Sequence, residues 1–199
     1  DGVCVGRPIN GVELAVTRIG ALGQSTWEFI GKPGATGEIC VRAAHASAGY
    51  DRLWAIQNQT WRDGWHRTGD VGHIDRDGRL WVEGRTSHLI LSADGPVTPV
   101  GIEHRAELVD GVHQAAAVGV GPAGTQQLVV VISTTERRAG VIADPQLTDA
   151  VRQVVPFDVA AVLTVRHLPV DRRHNSKIDR ERIASWAESV LAGARVARL

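Results

Sequence analysis

Three short stretches of this 199-residue chain carry side chains suited to holding a polyhydroxylated or anionic small molecule. The first is His66-Arg67-Thr68-Gly69-Asp70-Val71-Gly72. An ionised aspartate is acceptor-only with about four lone-pair sites, so Asp70, behind a glycine and just before a hairpin, is placed to take both hydroxyls of a diol such as ribose. A turn or cap role is the plain alternative for an aspartate in that setting. The second is Gly84-Arg85, fifteen residues further on and across the hairpin; alone, Arg85 is a surface charge or an interdomain ion pair. The third is Leu168-Pro169-Val170-Asp171-Arg172-Arg173-His174-Asn175-Ser176-Lys177-Ile178-Asp179-Arg180, a polar loop leading to the last helix. From Arg166 to Arg182 six Lys/Arg face three Asp/Glu, a local excess that suits a phosphate or a carboxylate. The bland alternative is a solvated loop in which Asn175 and Asp179 cap a helix. Of 22 basic residues only Lys32 and Lys177 are lysines. A flexible ammonium reaches a small anion as a point charge where a guanidinium does not substitute freely, which tips Lys177 toward function.

Other signals are weaker. Gly119-Val120-Gly121-Pro122-Ala123-Gly124 matches a dinucleotide-binding glycine pattern, but such a site needs a helix to open there. Thr125-Gln126-Gln127 and another apolar run come next instead, so a strand-connecting loop is expected. The eight histidines are scattered, His104-Arg105-Ala106-Glu107 lacks a second zinc ligand, and Asp75-Arg76-Asp77-Gly78 lacks trailing calcium ligands; no metal site is expected. Ser47 lacks the glycine two residues before it that a nucleophile elbow requires.

The elements that must position these residues change character partway along. Up to about Gly84 the pattern is short apolar runs cut by turn residues: Val12 to Ile19, Gly37 to Val41, Gly72 to Ile74 and Leu80 to Val82. Asp77-Gly78 supplies the positive-φ position of a hairpin between the last two. The segment from Ala44 to Asp63 reads as one short helix and a loop. Beyond Gly84-Arg85-Thr86 the reading is a short strand at Leu89–Leu91, a helix over Pro99–Val109, and dense strands at Ala115–Val120 and Leu128–Ile132. A helix capped at Asp144-Pro145 comes after them, then a strand at Ala161–Val165. A final helix carries a stripe of Ile183, Trp186, Ala187, Val190, Leu191 and Ala194. The fold class is α+β: a small β-rich subdomain over residues 1–84, then a small α+β domain over 85–199 with a three-stranded sheet and helices.

Composition bounds the function classes. Acidic and basic residues balance at 22 each, so no overall field draws nucleic acid. No run approaches the roughly 18–20 apolar residues of a membrane span. Cys4 and Cys40 lie in Val-rich runs and read as buried thiols of a reducing compartment, the cytoplasm by default. The chain starts at Asp1 and has no methionine, so it is read as a piece of a longer protein.

In order and spacing, the segments around Asp70, Arg85 and Lys177, with Val5-Gly6-Arg7-Pro8 and Gly37-Glu38-Ile39 before them, resemble the C-terminal third of the adenylate-forming superfamily: acyl-CoA synthetases, luciferases and peptide-synthetase adenylation domains. The resemblance implies an ATP-dependent, AMP-forming activation of a carboxylic acid, with ATP and magnesium as cofactors. It makes Asp70 the ribose-binding residue, Arg85 the arginine at the start of an interdomain hinge that also contacts ribose, and Lys177 the catalytic lysine of a mobile C-terminal lid. Pro169-Val170-Asp171 followed by Arg173-His174-Asn175-Ser176-Lys177-Ile178 is most similar to the β-lactone synthetases of bacterial olefin pathways, which implies fatty or β-hydroxy fatty acid substrates. Ser87 and Leu91 stand where many relatives carry a hinge aspartate and a lysine, and Gly95 sits one residue from the usual glycine, so use of CoA stays open. The chain has no Ser/Thr/Gly-rich phosphate loop. An N-terminal domain of the same protein is therefore the implied partner, and the fragment alone is expected to be inactive. A non-catalytic binding or interaction module keeping this fold is the alternative.

Overall fold

The computed structural model describes residues 2–44, 60–134, 140–170, 177–194 and 199. The helix and loop expected between Ala44 and Asp63 fall largely outside the described residues, as do Ser47 and most of the loop before Lys177. The chain divides into two compact units, Asp1–Ser87 and His88–Leu199.

The first unit is built from β1 (Val3–Gly6), β2 (Val12–Ile19), β3 (Ser25–Phe29), β4 (Gly37–Ala43), β5 (Trp61–Arg62), β6 (Trp65–Ile74) and β7 (Leu80–Arg85). All pair antiparallel in one seven-stranded sheet of order β1-β7-β6-β4-β2-β3, with β5 on β6. β2 has the expected limits, and its buried Val16 lies opposite Ile39 of β4, which is buried as well. The β6–β7 hairpin closes at Ile74↔Leu80. Gly78 has φ 73° there, a conformation that costs glycine nothing. Asp75 locks the turn: its Oδ1 accepts the backbone N–H groups of Asp77 and Arg79, both at 2.9 Å, and its Oδ2 accepts the Trp81 indole N–H at 2.9 Å.

Cys4 corrects the expectation that both thiols are buried. Cys40 is fully buried, whereas Cys4 is exposed. The reason is position: β1 is an outermost strand in which Val3 and Val5 are open to solvent as well, so its apolar run does not report a core. β1 and β3 are too short and too exposed to show a period, and the sequence pattern did not mark them.

A 3-10 turn over Thr86–His88 comes directly after β7. The second unit comprises β8 (Ile90–Ser92), β9 (Gly95–Val97), α1 (Pro99–Glu107), β10 (Val112–Val120), β11 (Gln127–Thr134), α2 (Pro145–Val154), β12 (Val159–Val165) and α3 (Arg180–Leu191). β10, β11 and β12 form the three-stranded sheet, antiparallel between β10 and β11 and parallel between β11 and β12. The centre strand is covered on both faces, which is why it reads as an unbroken apolar run rather than an alternating one. One face, with Ala115, Ala117, Val130, Ile132 and Val162, packs on Ile102 and Ala106 of α1 and Leu147 and Val151 of α2. The other, with Ala116, Val118, Val129, Val131 and Leu163, packs on Ile183, Trp186 and Ala187 of α3.

The helix starts reflect local chemistry. Asp144 caps α2 by accepting the Leu147 N–H at 2.9 Å, and Pro145 takes the first turn, where its missing N–H is harmless. Two ends differ from expectation. α1 stops at Glu107, with Val109 beyond its end yet still packed on the core. α3 stops at Leu191 and not at Ala194: Gly193 donates to Val190 O and Ala194 to Ser189 O, both at 3.0 Å, a Schellman closure that turns the chain away. The glycine pattern at Gly119–Gly124 lies at the β10–β11 turn, with no helix opening there, so the dinucleotide reading falls. β8 runs Ile90–Ser92 and pairs with β9, which the sequence did not mark; together they form a separate two-stranded hairpin.

Candidate active site

Asp70 and Arg85 face each other across the β6–β7 ladder, and the pairing depends on a bulge. From the turn outward the partners are Ile74↔Leu80, His73↔Trp81 and Gly72↔Val82, but then Val71↔Gly84 and Asp70↔Arg85. Glu83 is the extra residue. Were Glu83 instead paired in regular register, Asp70 would oppose Gly84 and the arginine would lie on the other face of the sheet. Glu83 itself is buried and bonded, its Oε1 lying 2.6 Å from His73 Nδ1 and accepting the Thr36 hydroxyl at 3.0 Å.

The second irregularity is on the opposite edge of β6. β4 pairs Glu38↔Val71 and then Cys40↔Arg67, so Thr68, Gly69 and Asp70 together oppose Ile39 alone. The side chains of Glu38 and Thr68 replace the lost ladder bonds. Glu38, 4% exposed, accepts the Gly69 N–H at 3.0 Å on Oε1 and the Arg67 Nε–H at 2.7 Å on Oε2. Thr68 donates its hydroxyl to Ile39 O at 2.9 Å and accepts the Asp70 N–H at 3.0 Å. Gly69 has φ 75°, and a Cβ there would lie 3.4 Å from Arg85 Nη1; a side chain would be strained and would crowd the arginine. Arg67 extends the network, its guanidinium carbon 5.3 Å from the centroid of the Trp27 ring.

The outcome is a partly exposed carboxylate beside a partly exposed guanidinium. Arg85 Nε lies 3.0 Å from Asp70 Oδ1, with the side chains 51% and 38% exposed. Arg85 Nη1 also donates to Thr68 O at 3.3 Å, and the Thr86 hydroxyl donates to Gly69 O at 3.3 Å. The donor set fits a sugar diol: the aspartate accepts from hydroxyls while the arginine donates to an oxygen nearby. Among the described residues no group of three or more His, Cys, Asp or Glu is placed to hold a metal ion.

Lys177 belongs to the second unit and is exposed. Ile178 forms an isolated antiparallel bridge with Val170, and Asp179 donates its N–H to Pro169 O at 2.9 Å. Asp179 caps α3 by accepting the Arg182 N–H at 3.1 Å, the structural role the loop offered it; Asn175 lies outside the described residues. Arg180, the first residue of α3, forms a two-pronged ion pair with Glu103 of α1, Nε to Oε1 at 3.0 Å and Nη2 to Oε2 at 2.5 Å. Leu91 lies in β8, where Gln126 serves as a strand partner, its Oε1 accepting the Leu91 N–H at 2.7 Å and its backbone N–H donating to Leu91 O at 3.0 Å.

Sequence reasoning named Asp70, Arg85 and Lys177 but missed Glu38 and Glu103. A signal existed for Glu38, a lone carboxylate in the apolar run Gly37-Glu38-Ile39-Cys40-Val41. An acid in such a run is buried only if it is paired.

No family model matches the chain. It is 34% identical over 204 residues to the olefin beta-lactone synthetase of Xanthomonas campestris pv. campestris, covering 94% of this chain and 36% of that protein. It is 28% identical over 171 residues to the 2-succinylbenzoate–CoA ligase of Listeria innocua, covering 85% and 36%. Among solved structures it is similar to ATP-bound MatB from Rhodopseudomonas palustris, with a TM-score of 0.77 at 24% identity over 94% of this chain and 36% of that one. The chain thus spans little more than a third of the length of the relatives it matches. Among the described residues no helix is long and apolar enough to cross a membrane.

Proposed function

The chain belongs to the adenylate-forming superfamily, as the C-terminal portion of such an enzyme, and from that premise we propose that its parent is an ATP-dependent, AMP-forming ligase that activates fatty or β-hydroxy fatty acids. The observation that carries the proposal is the Asp70–Arg85 pair, set on a doubly irregular stretch of β6 and partly open to solvent. Asp70 accepts the ribose hydroxyls of ATP and Arg85 contacts the same sugar. Lys177, on the second unit acting as a lid, offsets the negative charge that grows when a substrate carboxylate attacks the α-phosphate, giving acyl-AMP and pyrophosphate. The N-terminal portion of the parent supplies the phosphate loop, the magnesium that accompanies ATP and the acyl pocket, so these 199 residues alone are catalytically silent. The unpaired thiols are in keeping with a cytoplasmic protein.

The relatives named above are synthetases and ligases, which favours this reading over a non-catalytic binding module. Whether the activated acyl group closes to a β-lactone or passes to CoA is a choice the second step decides; Leu91, apolar where many relatives carry a lysine, supports the former. The test is acid-dependent pyrophosphate release by the parent protein, with β-hydroxy and simple fatty acids. Asp70→Ala and Lys177→Ala should each slow it by roughly 10²–10³-fold with the fold unchanged. Intact release in both variants would overturn the proposal.

A further inference from the structure

We propose that Glu103 and Arg180 are positioning residues for Lys177, an inference that rests on the adenylation reading above. An exposed lysine on a four-carbon stem is not aimed by packing; its reach is set by where the backbone starts. Three residues after Lys177 stands Arg180, and its guanidinium is gripped at both prongs by Glu103. Glu103 is 6% exposed and is itself held from a second side, its Oε1 also accepting the Ala117 N–H of β10 at 3.0 Å. One carboxylate therefore ties α1, β10 and the first residue of α3 together.

The apolar contacts of α3 do not do this job. Ile183, Trp186 and Ala187 hold the helix to the sheet face, but dispersion contacts are weakly directional and leave small slides and rotations about the helix axis cheap. A two-pronged ion pair at the N-terminal end removes that freedom, because a planar fork fixes both distance and orientation. The cost also argues for a geometric role. A buried ion pair is often no more stabilising than an apolar pair of equal volume, so stability alone gives little reason for one here. The Val170–Ile178 bridge and the Asp179-to-Pro169 bond pin the other side of the same short segment. Lys177 is thus presented from a base fixed at both ends, and Glu103 holds the end nearer α3.

The experiment is a double-mutant cycle in the full-length parent enzyme, reading single-turnover acyl-AMP formation with enzyme in excess and tracking each variant's fold by thermal unfolding. Glu103→Gln keeps an acceptor for Ala117 but loses the charge. On the wild-type background it should slow adenylation by about 10- to 100-fold, the range for a catalytic group misplaced by about an ångström. On the Lys177→Ala background the same change should cost less than about twofold, because a group acting through Lys177 has nothing left to act through. Arg180→Lys, which keeps the charge and loses the fork, should fall between and serves if Glu103→Gln does not fold. Equal losses in both backgrounds, or no loss in the wild type, would overturn the inference while leaving Lys177 catalytic. If Lys177→Ala itself leaves adenylation intact, the adenylation reading fails instead.

Discussion

Glu38→Ala should unfold the first unit far more readily than its single missing carboxylate suggests. Removing it leaves the Gly69 N–H of a half-buried bulge without its acceptor and takes from Arg67, whose side chain is 16% exposed, its carboxylate at 2.7 Å. Removing one partner of a buried ion pair costs about 3–5 kcal/mol, and an unsatisfied backbone N–H about 1–3 kcal/mol. The two losses overlap, and Arg67 keeps its stacking on Trp27, so a loss of about 3 kcal/mol is expected. Glu38→Gln keeps a neutral acceptor and should lose roughly half as much. The control is Glu13→Ala. Its partner Arg42 lies at 2.5 Å, a shorter contact, but the two side chains are 43% exposed for the arginine and 59% for the glutamate, and solvent screening makes the change close to neutral. Urea unfolding monitored by tryptophan fluorescence reads the difference, since five of the six tryptophans belong to the first unit. If Glu38→Ala and Glu13→Ala shift the midpoint equally, or if Glu38→Ala changes the slope instead of the midpoint, the claim that Glu38 holds the bulge is wrong.

The same geometry sets three more expectations. Cys4 should react at once with a thiol reagent and Cys40 only on unfolding; burial pushes the Cys40 thiol up to about 11, so its contribution to stability is present below the unfolded thiol value near 9 and lost as pH rises through 11. Asp75 is held well below the ordinary carboxyl value of 3.8, first by the Trp81 indole and then by Arg79. Its stabilising effect is therefore present above that value and lost as pH falls below it, and an acid titration of Asp75→Asn should show a flatter decline there than the wild type. Gly72→Ala would place a Cβ 2.0 Å from Trp81 O across the hairpin. A loss at or beyond the top of the ~1–3 kcal/mol overpacking range is expected, and a variant that melts like the wild type would show that the strands can part at no cost.

The sequence was readable where a local signal and a burial pattern agreed. Asp144-Pro145 names a helix start by itself, Asp77-Gly78 names a hairpin, and the Val-rich run of β11 reflects cover on both faces. Elements whose existence depends on distant partners were not readable. β9 exists because β8 lies beside it, and α3 stops where the Gly193 turn closes rather than where its apolar stripe ends. The site divides the same way. Asp70 and Arg85 stood out by residue type and by flanking a turn. Their pairing did not, because it needs Glu83 to be looped out of one ladder and Thr68–Asp70 out of the other, and the second of these is held by Glu38 from a strand some thirty residues away.

The Glu83 bulge also bears on how this hairpin tolerates change. Substitutions along β6 and β7 alter what the strands touch, but the meeting of Asp70 with Arg85 is governed by the count of residues between them. Adding one more residue on the β7 side would move the arginine through the sheet, however well the rest of the strand packed, whereas losing one would only close the bulge. Chimeras that exchange this hairpin between relatives should therefore be cut so that the interval from Asp70 to Arg85 is not lengthened, and insertions should be far rarer inside it than in the loops on either side.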